Sequence, residues 1–274
     1  MTTPPPPRPD LGFDPAPGQP LPPGTPRTDE MKAIAPIWHT VVMVLLLGGN
    51  SFVSAIMASR TMAHDPGAVT ENMRLIQYAF TIVLEFFLLF LVWIGLRLRR
   101  TTIRELIGGR WPNPEAFLLD VAIALAFWLL ALGVIYGMSW AVGLTKASQL
   151  QESKKLLEVL APHTVAGLAL FVLLSTVAGF VEEIIFRGYL QRQLGALTGN
   201  IYIGLVASAA VFGASHGYEG TRRMVVIFVF GMMFGFLALW RKSLRPGMMA
   251  HAWYDSVAGV GLFLVARKLL PSLS

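Results

Sequence analysis

Seven apolar runs separated by more polar segments restrict this chain to one architecture. They span about 37–58, 75–96, 117–144, 164–187, 201–217, 224–240 and 247–266. A helix needs about 20 apolar residues to cross a bilayer, and the fifth run is short. No strand-like alternation and no internal repeat interrupts them. The expected fold class is all-α, a polytopic membrane helical bundle with about seven transmembrane helices. Composition agrees: 14% of residues are charged, against roughly 25% in a soluble domain.

The chain has no cysteine, which excludes disulfides, thiolate metal sites and cysteine nucleophiles. Its formal charge of +6 points to lipid rather than nucleic acid, because Lys and Arg flank the apolar runs. With the N-terminus in the cytoplasm, thirteen of the 22 basic residues fall on the inner side, including the cluster Arg97, Arg99, Arg100, Arg104 and Arg110. That bias predicts a multi-pass protein of the cell membrane with a cytoplasmic N-terminus. Residues 1–31 hold eleven prolines and no apolar stretch, so a disordered cytoplasmic tail is expected there. It lacks the apolar segment of a signal peptide. The remaining parts are N-terminal helices and loops over 32–163, a core over 164–266 and a short tail over 267–274. A surface helix is expected around Gln149–Leu160.

Three patterns place ionisable side chains inside apolar segments, where they are costly and mark function. They are Glu182-Glu183-x-x-x-Arg187, Phe212-x-x-x-His216 and His251-x-x-x-Asp255. Adjacent glutamates on a helix diverge by about 100°, so the two cannot share one job. Glu183 precedes Arg187 by four residues, the favourable order for an ion pair. That assigns Glu183 and Arg187 to a supporting pair and leaves Glu182 free as a general base on water. A solvated helix end would carry the same pattern, but Val181, Ile184, Ile185 and Phe186 argue against open solvent. His216 closes a span and could serve a loop hydrogen bond instead. His251 and Asp255 share one helix face. They could form a dyad in which Asp255 fixes the imidazole tautomer, supply two metal ligands, or tie helices together. Gly199-Asn200 reads as a helix-hairpin turn, and Glu182 and His216 are equidistant from it. By residue counting His216 lies deeper than His251, so the two meet only if that hairpin projects beyond the membrane or a span is tilted or broken.

Together the three motifs resemble the CAAX-processing and bacteriocin-processing (CPBP, or Abi) family of intramembrane proteases, over about residues 164–266. The resemblance implies a membrane endopeptidase whose cavity opens to the cytoplasm. Glu182 and His216 would activate water. His251 and Asp255 would stabilise the oxyanion or bind a metal. Asp255 stands where the family often has Asn, and an ionised carboxylate cannot donate to an oxyanion. Glu182, His216, His251 and Asp255 could also hold a divalent ion such as zinc with an open position for water. The metal-free mechanism is preferred, because no His-Glu-x-x-His helix is present. The implied partners are membrane lipids and a membrane-bound or lipidated peptide, with no nucleic acid. Competing readings are a non-enzymatic adaptor or bacteriocin-immunity protein, and a small proton-coupled transporter. Outside the motifs, Glu85 sits mid-span and either lines the cavity, serves a proton path or bonds a neighbouring helix. Asn50 and Ser51 are expected to tie helices together, and Gly231-x-x-x-Gly235 to form a close-packing face.

Overall fold

A computed structural model describes residues 32–64, 69–146, 154 and 159–269. The Pro-rich tail and most of the surface helix expected at Gln149–Leu160 lie outside the described residues. Among those described there is no strand. The helices are α1 (Ile37–His64), α2 (Glu71–Arg97), α3 (Ile103–Ile107), α4 (Pro114–Ala141), α5 (Val165–Glu182), a π-helical stretch (Glu183–Leu190), α6 (Gln191–Thr198), α7 (Ile201–Ser215), a 3₁₀ turn (Gly217–Glu219), α8 (Thr221–Arg241) and α9 (Arg245–Leu269). Six of these helical stretches are long and apolar enough to cross a membrane, and α7 is a shorter apolar helix. Between 17% and 33% of each such stretch is buried within the protein. Most of their apolar surface therefore points outward, as it does in a polytopic helical bundle.

Side-chain caps set the helix starts. Thr70, Thr102, Asn113, Thr164 and Asn200 each accept a backbone N–H from the first turn of the helix that follows, which satisfies donors that the helix itself cannot. The fourth run does not end at Arg187 as the sequence suggested. Its helix widens into the π-helical stretch and continues to Thr198. Ser208 donates to the Phe186 carbonyl at 2.7 Å, closing one backbone group that the wider turns expose.

The Gly199-Asn200 turn forms as expected. Gly199 takes φ 69° at the end of α6, and Asn200 caps α7. The hairpin keeps its symmetric register, with the Phe186 ring against Phe212 at 4.9 Å. Leu244, just before α9, seats at Gly188. The π-helix and α6 run eleven further residues to Gly199, about 16 Å. The hairpin thus projects past the start of α9, and this brings His216 and His251 into one region despite their unequal counts.

Helix α9 runs antiparallel to α5. Gly259 faces Phe171, Gly179 faces Ala252 and Gly247 faces Glu183. At Gly179 an added Cβ would lie 2.5 Å from the Ala252 nitrogen, so only glycine permits this approach. Gly231 and Gly235 do form a close-packing face, against Ala209 and against Leu205 and Gln191. Ser51 donates to the Ala214 carbonyl, whereas Asn50 is exposed. Buried Asp120 binds Arg241 at 2.9 Å, Arg245 at 3.1 Å and the Trp111 indole at 2.8 Å, fixing α4 to the α8–α9 turn.

The first turns of α2 and α5 are tied by polar groups. Thr164 donates to Glu71 at 2.7 Å, and Glu71 pairs with Arg74 at 3.1 Å. Arg74 donates to His163 Nδ1 at 2.9 Å. His163 lies outside the spans. Burial, then the Arg74 charge, lowers its pKa from the ordinary value, with Glu71 opposing.

Gly179→Val should separate α5 from α9 and cost about 1–3 kcal/mol, seen as a lower Tm in detergent. The His163 contribution is full above the unfolded pKa of about 6.5 and is lost as pH falls toward the lower folded value. Thermal stability should therefore drop on acidification through that window, and His163→Phe should flatten the drop.

Candidate active site

Glu183 lies at the centre of the site. It is 1% exposed, and its Oε1 sits 2.9 Å from Arg187 Nη1. That contact is an ion pair rather than an aligned hydrogen bond, since Nη1 has no partner in bonding geometry. Arg187 finds its other support in the Gly231 carbonyl at 3.3 Å and in the rings of Phe212 and Phe234, 4.4 and 5.4 Å from the guanidinium carbon. The pair expected from sequence spacing is therefore formed and buried.

Glu183 Oε1 also accepts from His251 Nδ1 at 3.1 Å. A carboxylate can only accept, so His251 carries its proton on Nδ1. This corrects one reading of the His251-x-x-x-Asp255 pattern. Asp255 does not fix the tautomer; Glu183 does, from another helix. Asp255 Oδ2 lies 3.6 Å from His251 Nε2, and Glu182 Oε2 lies 3.7 Å from the same nitrogen. Both exceed a direct hydrogen bond. The two carboxylates flank the free nitrogen of His251.

His216 is oriented by its own helix. Its Nδ1 donates to the Phe212 carbonyl at 3.0 Å, with Ser215 Oγ at 3.2 Å. Nε2 is left with a lone pair, the form that accepts a proton or binds a metal. Phe212 stands between the two imidazoles, 5.0 Å from the His216 ring and 6.1 Å from His251. Asp255 lies in the field of His251, Glu182, His216 and Glu219, so the predicted site residues share one region. No three His, Asp or Glu side chains among the described residues converge closely enough to hold a metal ion. Among the described residues the donor set does not form a metal cage.

Sequence reasoning missed the 3₁₀ turn after His216. Tyr218 stacks at 6.0 Å from the His216 ring. Its hydroxyl lies in the fields of Glu219, Glu182 and Asp255. Burial, then Glu219, Glu182 and Asp255, push the phenol well above its ordinary pKa, so Tyr218 keeps its proton. The available signal was a phenol and a carboxylate two and three residues after His216. This turn lies beside Ser51, near the midpoint of α1. Non-helical backbone opposite the middle of a span is tolerated only in protein or against a polar cavity.

Residues 164–257 match the family model described as type II CAAX prenyl endopeptidase Rce1-like. Over this segment the chain carries an Rce1-like domain. The match contains all three motifs and confirms the resemblance to the CAAX-processing proteases. The chain thus carries the domain of a CAAX-type membrane protease in a multi-pass protein. No curated protein and no solved structure matches it.

Glu183→Gln should leave Arg187 buried without its partner and lower stability by about 3–5 kcal/mol. Removing both charges, as in Glu183→Gln with Arg187→Met, should recover much of that loss. Unfolding in detergent measures both. A double variant no more stable than the single would contradict the pairing.

Proposed function

We propose that the chain is an intramembrane endopeptidase. It hydrolyses a peptide bond in a membrane-associated, lipidated peptide by means of water activated by Glu182 and His216. The observation that carries this reading is the unequal fate of the two glutamates. Glu183 is 1% exposed and committed to Arg187 and His251, whereas Glu182 is 16% exposed and, among the described residues, forms no ion pair with Arg or Lys.

The proposed chemistry uses each group once. Glu182, assisted by His216 Nε2, takes a proton from water as the oxygen attacks the carbonyl carbon. The new C–O bond places negative charge on the carbonyl oxygen. His251, when protonated on both nitrogens, keeps Nδ1–H on Glu183 and offers Nε2–H to that oxygen. Collapse breaks the C–N bond, and the proton taken from water passes to the leaving amine. Asp255 is 35% exposed and stands at the mouth of the site, on the Nε2 side of His251. There it favours the protonated imidazole rather than donating to the oxyanion itself.

The family description supports a prenylated substrate, and the lipid-facing helices support delivery within the bilayer. The basic cluster between α2 and α4 supports a cytoplasmic N-terminus in the cell membrane.

The test is cleavage of a library of prenylated and unmodified membrane peptides by purified protein in nanodiscs. Glu182→Gln should lower turnover by about 10²–10⁴-fold with Tm unchanged, and His216→Gln should act similarly. Metal content measured on the same sample compares the two mechanisms read from sequence. Full cleavage by a well-folded Glu182→Gln variant would overturn the assignment.

A further inference from the structure

Among the described residues, Glu85 is a buried carboxyl group with a role neither in the site nor, unlike Asp120, in an ion pair that ties helices. It lies midway along α2, outside the family match, and is 8% exposed. Its Oε2 is buried without a hydrogen-bond partner. An orphaned acidic oxygen in an apolar span is costly, so its surroundings must explain it.

Helix register supplies the explanation. Helices α2 and α5 begin side by side, with Thr164 on Glu71 and Gly167 against the same carboxylate. They then run parallel, and the Tyr78 ring meets Phe171 at 5.4 Å. Continuing that register brings Glu85 level with the last turn of α5, where Glu182 lies. Glu182 is also the charged neighbour whose field reaches Glu85. Two carboxyl groups in apolar surroundings repel when both are ionised, and they attract when one proton lies between them.

We propose that Glu85 is a positioning residue for Glu182, donating the shared proton of a carboxyl–carboxylate hydrogen bond that holds Glu182 in its working orientation. The role rests on the peptidase reading of Glu182. It differs from that reading in placing a necessary group on α2, ahead of the Rce1-like segment. In its acid form Glu85 has one O–H to give and Glu182 has the acceptor oxygens. The unused oxygen of Glu85 is thereby matched to the site carboxylate whose field reaches it.

Two measurements on the full chain test this. The first is the infrared C=O stretch of buried carboxylic acids, compared in H₂O and D₂O. The wild type should show an acid band that Glu85→Gln removes and Glu182→Gln shifts. A missing band, or a band that Glu182→Gln leaves in place, would overturn the proposal whether or not a substrate is known. The second is turnover. Glu85→Leu removes the donor and suits an apolar helix, so Tm should hold while kcat falls by about 100-fold at similar KM, the cost of a misplaced catalytic group. Glu85→Gln keeps an N–H donor and should lose at least tenfold less. Equal kcat in Glu85→Leu and wild type, or equal losses in both variants, would reject the positioning role. If instead the wild type cleaves nothing, the peptidase reading fails, and the infrared result still decides whether Glu85 and Glu182 share a proton.

Discussion

Everything in the catalytic half of this bundle is arranged around one buried negative charge, that of Glu183. A carboxylate at 1% exposure is stable only if its lost hydration is replaced. Arg187 supplies the opposite charge and His251 supplies a hydrogen bond. The guanidinium in turn is incompletely hydrogen-bonded, and the faces of Phe212 and Phe234 compensate through their negative quadrupoles. Phe212 therefore ties the second motif to the first. It supports Arg187, contacts both imidazoles, and its carbonyl fixes the His216 tautomer. Glu183 thus orients His251 directly, while Phe212, packed on Arg187, orients His216 through its carbonyl.

The π-helical stretch belongs to the same arrangement. It begins at Glu183 and covers Arg187, so the wider turns fall where the buried pair must fit between helices. Such turns leave backbone groups poorly paired and recur at functional sites. Ser208 repairs one of them. The helix then resumes as α6 and carries the hairpin beyond the start of α9. Without that extension, α7 would not return His216 to the level of Glu182.

The amino-acid sequence revealed the lipid-facing architecture because apolar length alone decides it. It also revealed the Glu183–Arg187 pair, because i, i+4 spacing is a local property of a helix, and the Gly199-Asn200 turn, because each residue has a local conformational reason to be there. What it hid was tertiary. Nothing in His251-x-x-x-Asp255 indicates that the imidazole proton is held by Glu183, 68 residues away, and the nearer carboxylate was the natural choice. The end of the fourth helix was misjudged at Arg187 for a related reason: a charged residue resembles a helix end until its partner is shown to be buried. Tyr218 and Glu219 carried too weak a signal, since a turn after a histidine is ordinary until Tyr218 is seen against the His216 ring.

Exposure along the site gives it a direction. Glu183 is 1% exposed, His251 3%, Glu182 16% and Asp255 35%. The charge that holds the structure is sealed, the carboxylate assigned to water is partly open, and the carboxylate at the mouth is the most open. This order follows from what each charge needs. A structural ion pair gains from dryness, because its attraction strengthens as water leaves. A base that must receive a water molecule cannot be sealed with it. The 3₁₀ turn after His216 meets the same need, since breaking α7 opposite the midpoint of α1 introduces polar backbone where a continuous helix would present only side chains. In an apolar layer such backbone requires protein or water around it, and the turn lies beside the open carboxylates rather than beside the sealed pair. On the proposed reading, a sealed anchor and a partly open base thus sit on a single pair of adjacent residues, Glu183 and Glu182.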